Sequence, residues 1–87
     1  MPVLGPIVDG FDDWLAANGY APSSRKYSIR KLPRVDADLR LHQVGKVAKL
    51  THAVLHDCWK TLIKTCPNGA GTVRTLERYL LSKGLIA

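Results

Sequence analysis

Apolar residues recur at helical spacing in four segments of this chain, and glycine, proline and asparagine residues separate the segments. The first segment runs from about Ile7 to Asn18, and Gly19 is suited to follow a helix end. The second segment opens after Pro22, where Ser23 or Ser24 is expected to cap the helix. Its apolar side chains share one helical face: Ile29, Leu32, Val35 and Leu39.

A proline interrupts the second segment. Pro33 lacks the backbone N–H group that a helix interior uses, so we expect the helix to be kinked there or to restart after Leu32. From Leu41 to Leu50 the periodicity fades around Gly45. This stretch therefore predicts a loop.

The third and fourth segments flank the run Pro67-Asn68-Gly69-Ala70-Gly71, which predicts a turn that ends the third helix. Thr51 is the expected N-cap of the third helix and Thr72 of the fourth, which Gly84 closes. The pattern as a whole predicts an all-α bundle. The expected inward residues are Val54, Leu55, Cys58, Trp59, Leu62 and Cys66 on the third helix and Val73, Leu76, Tyr79 and Leu80 on the fourth, with Trp14 from the first.

Length and composition favour a single folded domain over residues 1–87, because 46% of the 87 residues are hydrophobic and 23% are charged. Cys58 and Cys66 lie eight residues apart on one predicted helix, about 12 Å along its axis, which is too far for a disulfide. They are expected to be reduced core residues. No apolar run is long enough for a membrane span, and Met1–Ile7 lacks the features of a signal peptide. The expected location is the cytoplasm of a bacterium or phage-infected cell.

Positive charge is concentrated after the first helix. Residues 1–20 carry Asp9, Asp12 and Asp13 and no lysine or arginine, so all 13 lysine and arginine residues lie in the remainder, against four acids. We interpret the three aspartates as helix-start charge on a solvated face rather than as a metal site. A basic domain with a pI near 9.7 has the electrostatic character of a nucleic-acid binder.

Two predicted helices carry basic outward faces. Lys26, Arg30 and Arg34 follow i, i+4 and i+8 spacing on the second helix, opposite its apolar face. Arg74 and Arg78 have the same spacing on the fourth. One such stripe alone is typical of a solvated surface, but two stripes with small polar residues beside them are typical of phosphate contact.

Residues that could support catalysis or bind a cofactor are sparse. His52 and His56 have the i, i+4 spacing of two zinc ligands, but no glutamate follows His52, and we interpret both as solvated histidines. Cys58 lies on the apolar face, where a thiol is inert. The glycines before the fourth helix lack the lysine of a phosphate-binding loop. We therefore expect no catalytic residues, no metal and no cofactor.

The order and spacing of several motifs resemble the N-terminal core-binding domain of tyrosine recombinases, the SAM-like domain of phage integrases. The resemblance covers about residues 7–86. It is carried by Phe11-Asp12-Asp13-Trp14-Leu15, Gly19-Tyr20-Ala21-Pro22-Ser23-Ser24-Arg25-Lys26, Leu32, Val35, Leu50-Thr51, Leu55, Gly71-Thr72-Val73-Arg74-Thr75-Leu76-Glu77-Arg78-Tyr79-Leu80 and Lys83-Gly84-Leu85-Ile86. The family usually has an aromatic residue where this chain has Ser28, whereas Tyr27 comes one residue earlier, and its second helix has no proline at the position of Pro33.

The resemblance implies a compact bundle of four to five helices that forms one half of a clamp around double-stranded DNA. A catalytic domain of the same parent chain would form the other half, other recombinase protomers would be partners, and the chain would be a domain excised from a longer integrase, ordered over about residues 7–86. The alternative is a helical SAM-like protein–protein interaction domain. The DNA-contacting residues implied by the resemblance are Ser23, Ser24, Arg25, Lys26, Arg30, Thr72, Arg74, Thr75 and Arg78.

Overall fold

Four α-helices make up most of the structure, a computed structural model that describes residues 1–86. Short 3-10 turns precede α1 and α3, at Gly5–Ile7 and Val47–Lys49. No β-strand occurs in the described part of the chain, so the predicted all-α fold is confirmed. The helices are α1 (Val8–Ala17), α2 (Pro22–Leu41), α3 (His52–Thr65) and α4 (Pro67–Ser82).

Glycines end α1 and α4 as the sequence predicts. Gly19 has a φ of +81° and Gly84 has a φ of +67°, a left-handed conformation that favours glycine. The amide of Tyr20 donates to the carbonyl of Leu15 at 3.1 Å, which satisfies one of the free carbonyls at the end of α1. Gly19 thus lets the chain turn back toward α2.

The start of α2 differs from the prediction. Ala21 is the N-cap in an extended conformation, Pro22 is the first helical residue, and the Ser23 and Ser24 side chains cap nothing. Proline suits the first position of a helix because its φ angle is already helical and its missing N–H group would have no partner there. Both serines are therefore exposed in the first turn.

Helix α2 continues through Pro33, so the predicted restart after Leu32 is wrong. An interior proline costs a helix about 3 kcal/mol. Leu32 and Val35 on either side of the proline are both fully buried, and this packing holds the helix together across it. Pro33 itself is on the exposed side.

The start of α4 also differs from the prediction. The helix begins at Pro67, directly after Cys66, so the run expected to form a turn is helical. Thr72 therefore lies inside α4, 3% exposed, and its hydroxyl donates to the Asn68 carbonyl at 3.5 Å instead of capping the helix. Gly69 and Ala70 in the first turn of α4 are buried, with Gly69 close to Leu62 and Cys66 at the end of α3, whereas Pro67 and Asn68 are exposed.

Helices α1, α2 and α3 all pack against α4, and the core lies between α4 and these three helices. Leu62 and Leu76 are fully buried, as predicted, but Trp14 and Trp59 are only partly buried at the edge of the core. A tryptophan at such an edge keeps its ring on apolar neighbours and part of its indole in water. The largest fully buried side chains are Phe11, Leu4, Leu15, Leu32, Leu39, Leu55, Leu62, Leu76 and Leu80.

The N-terminal segment is part of the core, which the sequence pattern did not indicate. Val3 and Leu4 are buried, and their amides donate to one carboxylate oxygen of Asp36 at 2.9 and 2.8 Å. The other oxygen of this buried carboxylate lies 3.2 Å from Arg40. Asp36 thereby anchors the first residues to the middle of α2. None of the helices in residues 1–86 combines the length and apolar character that a membrane crossing needs.

Candidate nucleic-acid interface

Two depressions on the surface of α2 share Tyr27 and Ser28 as lining residues, and together they are called the groove. One lies beside the start of α2 and is also lined by Tyr20, Ser23 and Ser24. The other lies between α2 and the first half of α4, where its lining residues are Pro67, Asn68, Gly71, Thr72 and Thr75. The second turn of α2 thus lies beside the first turns of α4, the other helix that is predicted to contact DNA.

One direct contact joins the two helices at the rim of this groove. The guanidinium of Arg78 on α4 donates to the Tyr20 hydroxyl at 3.2 Å, and Tyr20 directly precedes α2. Ser23 and Ser24 line the same end of the groove as Tyr20. Five predicted site residues thus line or border the groove, since Thr72 and Thr75 line its other part.

Some side chains that were not among the predicted contacts also line the groove or lie beside a residue that does. Tyr20 and Tyr27 line it, and the ammonium of Lys31 lies 5.4 Å from the centre of the Tyr27 ring. Ser24, Tyr27 and Lys31 are spaced three and four residues apart, so they share one flank of α2. That spacing is a signal in the sequence that could have identified this flank.

Arg25 has an internal partner. Its Nε and a terminal nitrogen donate to the two carboxylate oxygens of Asp12 on α1 at 3.1 and 3.0 Å. The hydrogen bond that Arg25 donates to Asp12 raises the pKa of Arg25 above its usual value, and the charges of Asp12 and Asp13 act in the same direction. Asp12 is thus a structural ion-pair partner rather than a solvated charge, and Arg25 ties α1 to α2.

The other basic residues of α2 lie away from the groove. Lys26 and Arg30 border a depression on the α1 side of the helix, which also contains Asp12 and Ile29. Together with Arg34 they form the exposed outer line of α2, as the sequence predicts. The predicted α2 contacts are therefore divided between two flanks, with the serines in the groove and the cations on or beyond its rim.

Two predicted residues of α4 differ sharply in accessibility. Thr72 is buried and its hydroxyl is bonded within its own helix, so it offers little to an external phosphate. Arg74 is exposed, and its guanidinium lies over Trp59 of α3, 4.3 Å from the ring centre. Arg74 and Arg78 are thus supported by neighbours on opposite sides of α4.

The basic residues of α3 line a separate depression. Lys60 and Lys64 lie there with His42 from the end of α2, and with Asp57, Thr61 and Thr65. This flank of α3 is not the one that carries Trp59, which lies against Arg74 of α4. These two lysines therefore provide a matched control for the two arginines of α4.

The thiol of Cys58 is fully buried. Burial raises the pKa of Cys58 far above its ordinary value, and the hydrogen bond with Asp38 adds to the shift. His42 faces the same carboxylate, 3.4 Å from its oxygen. Cys58 and Cys66 are both free thiols, as predicted. Within residues 1–86 no cluster of three or more metal-ligating side chains is present.

No protein-family model, no curated protein and no solved structure matches this chain. The resemblance to the core-binding domain rests on the residue pattern alone. Its functional consequences are therefore proposals.

Proposed function

We propose that this chain is the non-catalytic DNA-binding module of a site-specific tyrosine recombinase, an integrase. In this role it holds the recombination site while a separate catalytic domain of the same parent chain carries out DNA integration or recombination. The observation that carries the proposal is the shared groove of α2 and α4, joined by the bond between Tyr20 and Arg78. A surface to which two helices both contribute side chains can follow a single stretch of DNA backbone.

The chemistry of the groove suits a phosphodiester backbone. The hydroxyl groups of Ser23 and Ser24 are hydrogen-bond donors, whereas that of Thr75 donates to the Gly71 carbonyl of its own helix. Lys31 beside Tyr27 and Arg78 beside Tyr20 add positive charge. Such side chains make most of the contacts to phosphate in protein–DNA complexes. The exposed Lys26 and Arg30 extend the basic surface beyond the groove.

The dimensions of the domain limit the length of DNA that it covers. Its longest extent is 31 Å, and one turn of duplex DNA is about 34 Å long. A single copy therefore contacts no more than about one turn. This is consistent with a module that encloses a site only together with a second domain. In the proposed role, other recombinase protomers bind neighbouring sites on the duplex, in the cytoplasm of a bacterium or phage-infected cell.

A second candidate is a protein–protein interaction domain. Leu81 on α4 and Leu85 just after it are 49% and 43% exposed, and they lie four residues apart. Paired exposed leucines favour a protein contact at this end of the bundle. Under the main proposal, that contact is with the catalytic domain.

A salt titration of DNA binding tests the proposal. We expect the domain to bind a short duplex weakly and with little sequence preference, because it has few groups that read base edges. If about four phosphates are neutralised, the logarithm of the binding constant falls against the logarithm of salt concentration with a slope of about −3.6. Fluorescence anisotropy with a labelled duplex measures this slope. Absence of binding at low salt would contradict the proposal and favour the protein-interaction domain.

A further inference from the structure

Four side chains form a row across the surface where α3 meets α4. The His52 and His56 rings are 6.2 Å apart and nearly parallel, and the His56 and Trp59 rings are 5.8 Å apart and also nearly parallel. Arg74 completes the row at 4.3 Å from the Trp59 ring. The row lies on the α3 side of α4, whereas the groove lies on the α2 side.

Arg74 is held in place without being neutralised. Stacking on Trp59 restricts the long arginine side chain, so less conformational entropy is lost when its N–H groups bind an anion. Within residues 1–86, no ion pair or side-chain hydrogen bond engages its guanidinium. Arg25 shows the contrast, because both carboxylate oxygens of Asp12 occupy its donors.

The acid nearest to this row is engaged by a histidine. Glu77 lies three residues after Arg74 on α4, and its carboxylate bonds to the Nδ1 atom of His52. The His52 side chain is 72% exposed. The remaining charged neighbours on α3, Asp57 and Lys60, line the opposite flank of the helix.

The charge of this surface changes strongly with protonation. When both histidines are neutral, the positive charge of Arg74 and the negative charge of Glu77 cancel. Imidazole gains a proton between about pH 7 and about pH 5.5. When both histidines are protonated, His52 compensates Glu77, and Arg74 and His56 leave a net charge of two on one small patch.

We propose that His52, His56, Trp59 and Arg74 form a second phosphate-binding site, separate from the groove. This site binds a phosphate of the DNA more tightly when its histidines are protonated. This inference rests on the proposed function. Arg74 is the permanent contact, Trp59 is its support, and the histidines add contacts as they become charged. Phosphate binding and histidine protonation are thermodynamically linked, because each favours the other. DNA affinity therefore rises as pH falls.

The test compares DNA affinity at about pH 7 and about pH 5.5 at one salt concentration, a range in which imidazole is the main titrating side chain. We expect the unaltered domain to bind a short duplex about three- to tenfold more tightly at the lower pH, which is the range that two exposed charge contacts support. The double variant His52→Gln, His56→Gln should lose this gain and bind the duplex with the same affinity at the two pH values.

The third histidine supplies the control. His42 lies in the depression with Lys60 and Lys64, so His42→Gln should retain the full gain at low pH. A thermal melt of each variant at both pH values verifies that the domain is folded. Equal affinity at the two pH values, or a gain that survives in the double variant, would overturn this site while leaving the groove intact. Absence of DNA binding at both pH values would instead refute the proposed function itself.

Discussion

Two pairs of basic residues in this domain have the same charge and the same spacing but different surroundings. Arg74 and Arg78 lie four residues apart on α4, and each has an aromatic partner from a neighbouring segment. Arg74 lies on Trp59, and Arg78 donates to the hydroxyl of Tyr20. Both guanidinium groups are thereby fixed on the exposed side of α4.

The second pair has no such support. Lys60 and Lys64 also lie four residues apart, on α3, but no ion pair, hydrogen bond or aromatic contact within residues 1–86 involves either of them. They border a depression with His42, remote from the α2–α4 groove. Equal charge and equal periodicity therefore do not make equal sites, because the neighbouring helices decide which cations are held in one geometry.

The largest effect is expected from the core that both surfaces share. Leu62 is on the inner face of α3 and Leu76 is on the inner face of α4, and both are fully buried. Replacing either by alanine should lower the free energy of unfolding by about 2 to 5 kcal/mol, since a lost leucine leaves a cavity. Urea or guanidinium denaturation measures the change.

The two leucine variants also test whether the surfaces of α3 and α4 depend on the same core. Because one core supports both, Leu62→Ala and Leu76→Ala should destabilise the domain to a similar degree. A variant with the stability of the parent would show that the core described here is wrong. Surface variants that leave stability unchanged can then be compared by DNA binding alone.

A smaller effect is expected from the aromatic support of the arginine pair. Trp59 is partly buried, so Trp59→Ala should lower the free energy of unfolding by about 2 kcal/mol, less than the loss of a fully buried tryptophan. It should also weaken DNA binding, because Arg74 loses its partner. Trp59→Phe is the matched control, since phenylalanine retains a ring for the guanidinium. If alanine at this position left both stability and binding unchanged, Trp59 would not support Arg74.

The sequence was sufficient for most of the fold, because the helices have strong apolar periodicity. It failed at the starts of α2 and α4, where a proline follows the preceding segment directly. The second helix was expected to open after Pro22, and Pro67 was interpreted as a turn residue, yet each proline is the first residue of a helix. At Pro33, burial of the apolar face of α2 outweighs the free-energy cost of a proline inside a helix. The tertiary structure is needed to see this, because the buried area depends on the neighbouring helices.

The candidate site was predictable in part. The outward positions of Lys26, Arg30, Arg74 and Arg78 follow from helical periodicity alone. Contacts between helices do not, because periodicity within one helix gives no information about its neighbour. The pairing of Arg25 with Asp12, the stacking of Arg74 on Trp59 and the bond from Arg78 to Tyr20 all join residues that are distant in sequence.

The most direct test of the account is a pair of double variants in the DNA titration. Arg74→Ala with Arg78→Ala should weaken binding about tenfold on all duplexes and flatten the salt slope by about one unit for each lost phosphate contact. Lys60→Ala with Lys64→Ala removes the same charge and should change both quantities much less. Equal losses in the two variants would mean that net charge alone attracts the DNA, and would contradict the surface on α2 and α4.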